Sequence, residues 1–115
     1  MVVDQLEEAE ADLVFGALSD RTRRDILRRS TQRKLSISAL AHDYEMSFTA
    51  VQKHVAVLER ASLVSKEVHG REKLVLANLE TVRRAGELLD QYEQFWRARV
   101  EAIDSILTEE KEMNE

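Results

Sequence analysis

The chain has 115 residues, enough for one domain whose folding hides about 65% of the surface that the unfolded chain exposes. A hydrophobic share of 43% against 34% charged excludes a disordered chain, and the absence of Cys excludes disulfides, thiol redox sensing and thiolate metal ligation. The net charge of -5 argues against a nucleic-acid partner until it is resolved along the chain, where residues 1–18 carry -5, residues 19–77 carry +5 and residues 78–115 carry -5.

A basic centre between acidic ends suits a polyanion; the plainer alternative is ordinary variation between helical surfaces. With no Pro and only three glycines, most of the chain is free to be helical, and a mainly α protein (α+β) is expected. The N-terminus opens with Asp4, Glu7, Glu8, Glu10 and Asp12 and has no basic leader. Nowhere do eighteen apolar residues run together, so no membrane partner is expected and the expected location is the cytoplasm.

The first helix is expected over residues 4–18, with Leu6, Ala9, Leu13 and Ala17 on one side and Phe15 and Leu18 widening the stripe. Ser19 or Asp20 can cap a second helix that buries Ile26 and Leu27 within the basic run Arg21, Arg23, Arg24, Arg28 and Arg29. From Ser36, the positions Ile37, Leu40, Ala41 and Tyr44 mark one face of a short third helix. Tyr44-Glu45-Met46 then reads as a turn, Ser47 as the next cap, and Met46 as a staple onto Val51.

At about 100° per residue, the fourth helix places Val51, Val55 and Leu58 on one side, with His54, Ala61, Ala50 and Val57 beside them. Thr49, Gln52, Lys53, Ala56 and Arg60 fall opposite, a polar face with a methyl group at its centre. From residue 64 to 77 the period changes to two on either side of His69-Gly70-Arg71-Glu72, which predicts a β-hairpin tipped by Lys66, His69, Arg71 and Lys73. The last segment, residues 79–110, reads as one helix in which Val82, Leu89, Trp96 and Ile103 recur every seven residues beside Leu79, Val100 and Leu107. Leu88, Tyr92 and Phe95 widen that stripe. A domain of this size cannot cover it, so a partner helix is implied, most simply from a second copy; the alternative is packing on the first helix of the same chain.

Four helices, a two-stranded ribbon and a fifth helix, with a tight third-to-fourth connection, form a winged helix-turn-helix layout: a single domain over 1–115, with the helix-turn-helix at 36–60 and the wing at 64–77. In that motif the second helix of the pair enters the major groove by its N-terminal residues. Gln52 is then suited to adenine, Lys53 to guanine or phosphate, and the Thr49 hydroxyl to base or backbone, while Ala56 permits close approach and the capping Ser47 is expected at the same DNA-binding surface. Arg60 lies further along the same face. Phe48 either packs inward or touches a thymine methyl.

The segments FGALSDRTRRDIL (15–27), SISALAHDYEMSFTAVQKHVAVLERASLV (36–64), GREKLVLAN (70–78) and YEQFWRARVEAIDSIL (92–107) together resemble the ArsR/SmtB-type transcriptional repressors. The resemblance implies a homodimer joined by the first and last helices (1–18 and 79–115), with Leu6 and Leu13 joining Val82, Leu89, Trp96, Val100, Ile103 and Leu107 at the interface. It also implies repression by binding of double-stranded DNA at an imperfect palindrome. Where metal-sensing members carry two cysteines on the third helix, this chain has Leu35-Ser36-Ile37-Ser38-Ala39-Leu40, and no histidine follows residue 78, so no metal or other cofactor is expected. His42 and His54 read as surface and packing residues. Members often have Gly where this chain has Glu45 and Ser62.

An alternative is a winged-helix module that binds protein, which would carry large exposed apolar residues on the fourth helix. An enzyme is not expected, since no carboxylate pair, activated nucleophile or phosphate loop is suitably spaced. The operator and any effector are not written in the sequence.

Overall fold

The computed structural model describes residues 6–113. In chain order its elements are α1 (Glu8–Ala17), α2 (Arg21–Ser30), β1 (Leu35–Ser36), α3 (Ile37–Tyr44), α4 (Phe48–Arg60), β2 (Val64–His69), β3 (Glu72–Ala77) and α5 (Leu79–Met113). Three helix starts follow from one chemistry: a short polar side chain accepts from a backbone N–H that has no helical partner. Asp20 accepts from Arg23 N at 3.0 Å, Ser36 from Ala39 N at 3.0 Å and Ser47 from Ala50 N at 3.1 Å.

Two helices end in the same way. Met46 N donates to Ala41 O and Glu45 N to His42 O, while Leu63 N donates to Leu58 O and Ser62 N to Glu59 O. Both patterns are the Schellman closure, which needs a left-handed residue at the turn. Glu45 (φ 53) and Ser62 (φ 60) hold that conformation without the freedom of glycine. The turns therefore keep the usual shape despite their unusual residues.

The core is one cluster in which Val14, Ile26, Ile37, Leu40, Val51, Val55, Leu58, Leu63 and Val75 are fully buried, each contributing roughly 1.5–3 kcal/mol. Met46 packs against that cluster, as the staple requires. The sheet has three antiparallel strands in the order β1-β3-β2, one more than the expected ribbon. Leu35 pairs with Val75 and Ser36 with Leu74, so the added strand is two residues held by a partner far along the chain. Gly70 (φ 63) and Arg71 form the two-residue turn of the hairpin.

The first helix departs from expectation. Its expected start at residue 4 lies outside the described residues, and the helix begins at Glu8. The side turned inward is that of Val14 and Ala17, with Ala11 and Leu18 half-buried, whereas Ala9, Leu13 and Phe15 face outward. Leu6, expected at a dimer seam, instead enters the core of its own chain at 7% exposure. It precedes the first helical turn and completes the core that Val14 and Ala17 begin.

In α5, a single helix of 35 residues and on the order of 52 Å, only the first turns lie over the domain. Thr81 and Ala85 are buried there and Val82 packs on the core, which removes Val82 from the free part of its seven-residue line. Every residue from Tyr92 to Met113 is exposed. The radius of gyration is 20.7 Å, where a compact domain of this length would have about 13 Å.

Candidate nucleic-acid interface

The N-terminal half of α4 stands on three fully buried residues, Val51, Val55 and Leu58, which fix its rotation about its own axis. That rotation exposes Thr49, Lys53 and Arg60 and leaves Gln52 and Ala56 half-covered. The expected reading face is thus on one side of one helix. Ser47 uses its hydroxyl oxygen as the cap, which leaves its hydroxyl proton for another acceptor. Phe48, at the start of the helix, is exposed at 42% and is not part of the buried core.

Beneath this helix, Arg23 ties three elements together. Its Nε donates to Ala17 O at 2.7 Å and its Nη2 to Gly16 O at 3.4 Å, satisfying carbonyls at the end of α1. Its Nη1 lies 3.4 Å from Nδ1 of His54 on α4, and that ring nitrogen is 3.9 Å from the Asp20 carboxylate. Arg24 adds a bond from Nη1 to Leu18 O at 2.8 Å. No residue of α1's last turn is basic, so two arginines from α2 do the work of a C-terminal cap. The backbone N–H of Arg23 is also what lowers the Asp20 carboxyl below its ordinary range, with His54 and Arg23 charges adding to it.

The positive charge of the middle third divides accordingly. Arg28 pairs with Asp25 at 2.6 Å, Arg29 with Asp43 at 2.7 Å, Lys34 with Glu67 at 3.4 Å and Lys66 with Glu59 at 3.4 Å. His69 lies 3.5 Å from Glu67. Among the described residues, Lys53 and Arg60 on α4 and Arg71 and Lys73 on the wing have no carboxylate partner. The acids in these pairs are already counted in the +5 of residues 19–77, so the surplus stands, and the cations left without a carboxylate include those of α4 and of the hairpin tip. Lys66 and His69, expected with them, each have an acid beside them.

A second cluster lies under α3. The Tyr44 hydroxyl donates to Asp25 Oδ2 at 2.5 Å, and the Arg29 guanidinium sits 5.5 Å from the Tyr44 ring centre. Bonds from Tyr44 and Arg28 hold the Asp25 carboxyl below the usual range; burial and the bond to Asp25 push the Tyr44 phenol up. Sequence reasoning placed these arginines around Ile26 and gave them no partners; Arg28 finds Asp25 one turn away on α2 itself, whereas the partners of Arg29, Asp43 and Tyr44, come from α3.

Of the expected interface residues, Leu13, Leu89, Trp96, Val100, Ile103 and Leu107 are exposed, Trp96 at 65%. An open cleft of about 730 Å³ between α1 and α5 is lined by Phe15, Leu88, Leu89 and Tyr92 with Glu8 and Asp12. Among the described residues no helix is long and apolar enough to cross a membrane, and no group of three His, Asp or Glu side chains is placed to hold a metal.

No family model matches the chain. An ArsR-like transcriptional regulator from Rhodococcus sp. RHA1 superposes with a TM-score of 0.74 at 34% identity, over 85% of this chain and 92% of that one. The winged helix-turn-helix domain of Mb0332 from Mycobacterium bovis shares the fold, with a TM-score of 0.62 at 18% identity over 82% of this chain and 92% of its own. The uncharacterized HTH-type transcriptional regulator YuzN of Bacillus subtilis (strain 168) is 35% identical over 80 residues, which span 63% of this chain and 86% of YuzN. All three are described as transcriptional regulators, Mb0332 as a possible one. With its helix-turn-helix, its winged sheet and this likeness over most of its length, the chain belongs to the ArsR family of DNA-binding transcriptional regulators.

Proposed function

We propose that the protein is a repressor that binds an imperfect palindrome as a homodimer, each copy laying α4 into a major groove. The observation that carries this reading is the outward face of α4. Its uncommitted Thr49, Gln52 and Lys53 stand around the small Ala56, over a core that fixes their direction. Gln52 acts as the base reader, Lys53 takes guanine or phosphate, Ser47 and Thr49 bond base or backbone, and Arg60 anchors the far end to phosphate. The wing supplies further phosphate contacts through Arg71 and Lys73, with Lys66 and His69 in support.

The dimer reading is supported by the uncovered stripe Leu89, Trp96, Val100, Ile103 and Leu107 on α5 with Leu13 on α1, and by the Mycobacterium bovis relative, described as homodimeric and DNA-binding. A two-fold pair spaces its half-sites one helical turn of DNA, or a small multiple, apart. Selection of bound duplexes from a random pool at moderate salt tests the reading. Enrichment of a site with two-fold symmetry is expected, and a pool that emerges unenriched would refute it.

A further inference from the structure

We infer that Phe48 reads thymine methyl groups, so that each half-site holds a thymine within two steps of the base pair read by Gln52. This rests on the DNA-reading assignment of α4. Of the other large apolar residues of that helix, Val51, Val55 and Leu58 are fully buried and Val57 is partly buried against the core, whereas Phe48 leaves 42% of its surface to solvent. It occupies the first position of α4, directly after the capping Ser47, in the part of the helix that enters the groove. Its neighbours on the exposed side, Thr49 and Gln52, are hydrogen-bonding groups, so the ring is an apolar island in a polar face.

The base edges of a major groove offer one apolar feature, the 5-methyl group of thymine. Against any other edge the ring would cover donors and acceptors without replacing their hydrogen bonds, which is unfavourable. The ring and that methyl therefore suit each other in chemistry and in place. Phe48 and Gln52 are four residues apart, about 6 Å along the helix axis. Base pairs rise about 3.4 Å per step, so the two side chains fall on base pairs one or two steps apart.

Replacing single thymines of the selected site by deoxyuridine removes the methyl and nothing else. At one thymine of each half-site, the intact protein should bind about four-fold more weakly after the replacement, the fold-change expected for one methyl group losing its burial. Phe48→Ala should bind the thymine and uracil forms alike, and Gln52→Ala should keep the four-fold difference. Phe48→Leu, with thermal unfolding of both variants, guards against a folding defect. An intact protein indifferent to every thymine-to-uracil change, or a Phe48→Ala variant as sensitive as the parent, would overturn the inference while leaving α4 as the reading helix. Absence of any duplex preference would remove both.

Discussion

Arg84 and Glu10 meet in a two-pronged ion pair, Nη1 to Oε2 and Nη2 to Oε1, each at 3.0 Å. It joins α5 to α1, and with the core contacts of Val82 and Ala85 it sets the direction in which the long helix leaves the domain. Bonds from Arg84, and then from the Glu7 backbone N–H, lower the Glu10 carboxyl below 4.5. A lowered carboxyl contributes stability above its unfolded value that disappears as pH falls through the folded one. The intact protein should lose thermal stability below pH 4.5 more steeply than Glu10→Gln, by a shift on the order of one degree because the pair is exposed. Parallel acid profiles of the two proteins would contradict this.

Tyr44→Phe removes the hydroxyl that donates to Asp25 and keeps the ring under Arg29. The loss should be about 1 kcal/mol at neutral pH, measured by urea unfolding. The lowered Asp25 carboxyl makes this contribution fade in acid below the ordinary aspartate range, and the raised Tyr44 phenol makes it fade as pH climbs through and beyond 10. A deficit that is flat across pH would show that the bond contributes nothing.

Glu45→Gly and Ser62→Gly should each stabilise the protein by about 0.5–1 kcal/mol. The left-handed conformation costs an ordinary residue about 1–2 kcal/mol, and the greater freedom of glycine in the unfolded chain returns part of it. DNA affinity should not change. Glu45→Val should destabilise, since a β-branched side chain suits that conformation least.

Gln52→Ala should relax preference at one or two base pairs and leave binding elsewhere intact. Arg71→Ala should weaken binding to all duplexes similarly and flatten the salt dependence by about one contact. If the two variants behaved alike, the division between base reader and phosphate anchor would be wrong.

Trp96→Glu places a charge in the exposed stripe of α5. Sedimentation should show it at half the mass of the parent, while thermal unfolding of the domain at high protein concentration changes less. A variant sedimenting with the parent's mass would exclude Trp96 from the seam.

Much of this arrangement was legible in the sequence because it rests on local chemistry. Asp20, Ser36 and Ser47 cap helices wherever those helices lie, and the 3.6-residue spacing of Val51, Val55 and Leu58 determines which side of α4 is dry. What was not legible depends on distant partners. β1 exists because Val75 and Leu74 lie beside Leu35 and Ser36, and a two-residue strand has no periodicity of its own. On α1 two overlapping apolar arcs compete, and the arc of Val14 wins over that of Leu13 because of what packs beneath it. The arginines of α2 looked like free positive charge, and apart from the i,i+3 pair of Arg28 with Asp25, only the placement of α1 and Asp43 showed how much of it was committed. The exposure of Thr49 and Lys53 on α4 was legible as well, since it follows from the rotation that the buried residues fix.

The unbroken run of α5 has a mechanical consequence. Taking seven residues out of its solvent-facing stretch would turn the remaining stripe by only about 20° but draw its tip in by about 10 Å, close to three steps of a DNA duplex. The length of the rod and the outward face of α4 are therefore separable parts of the molecule: one can change without the other.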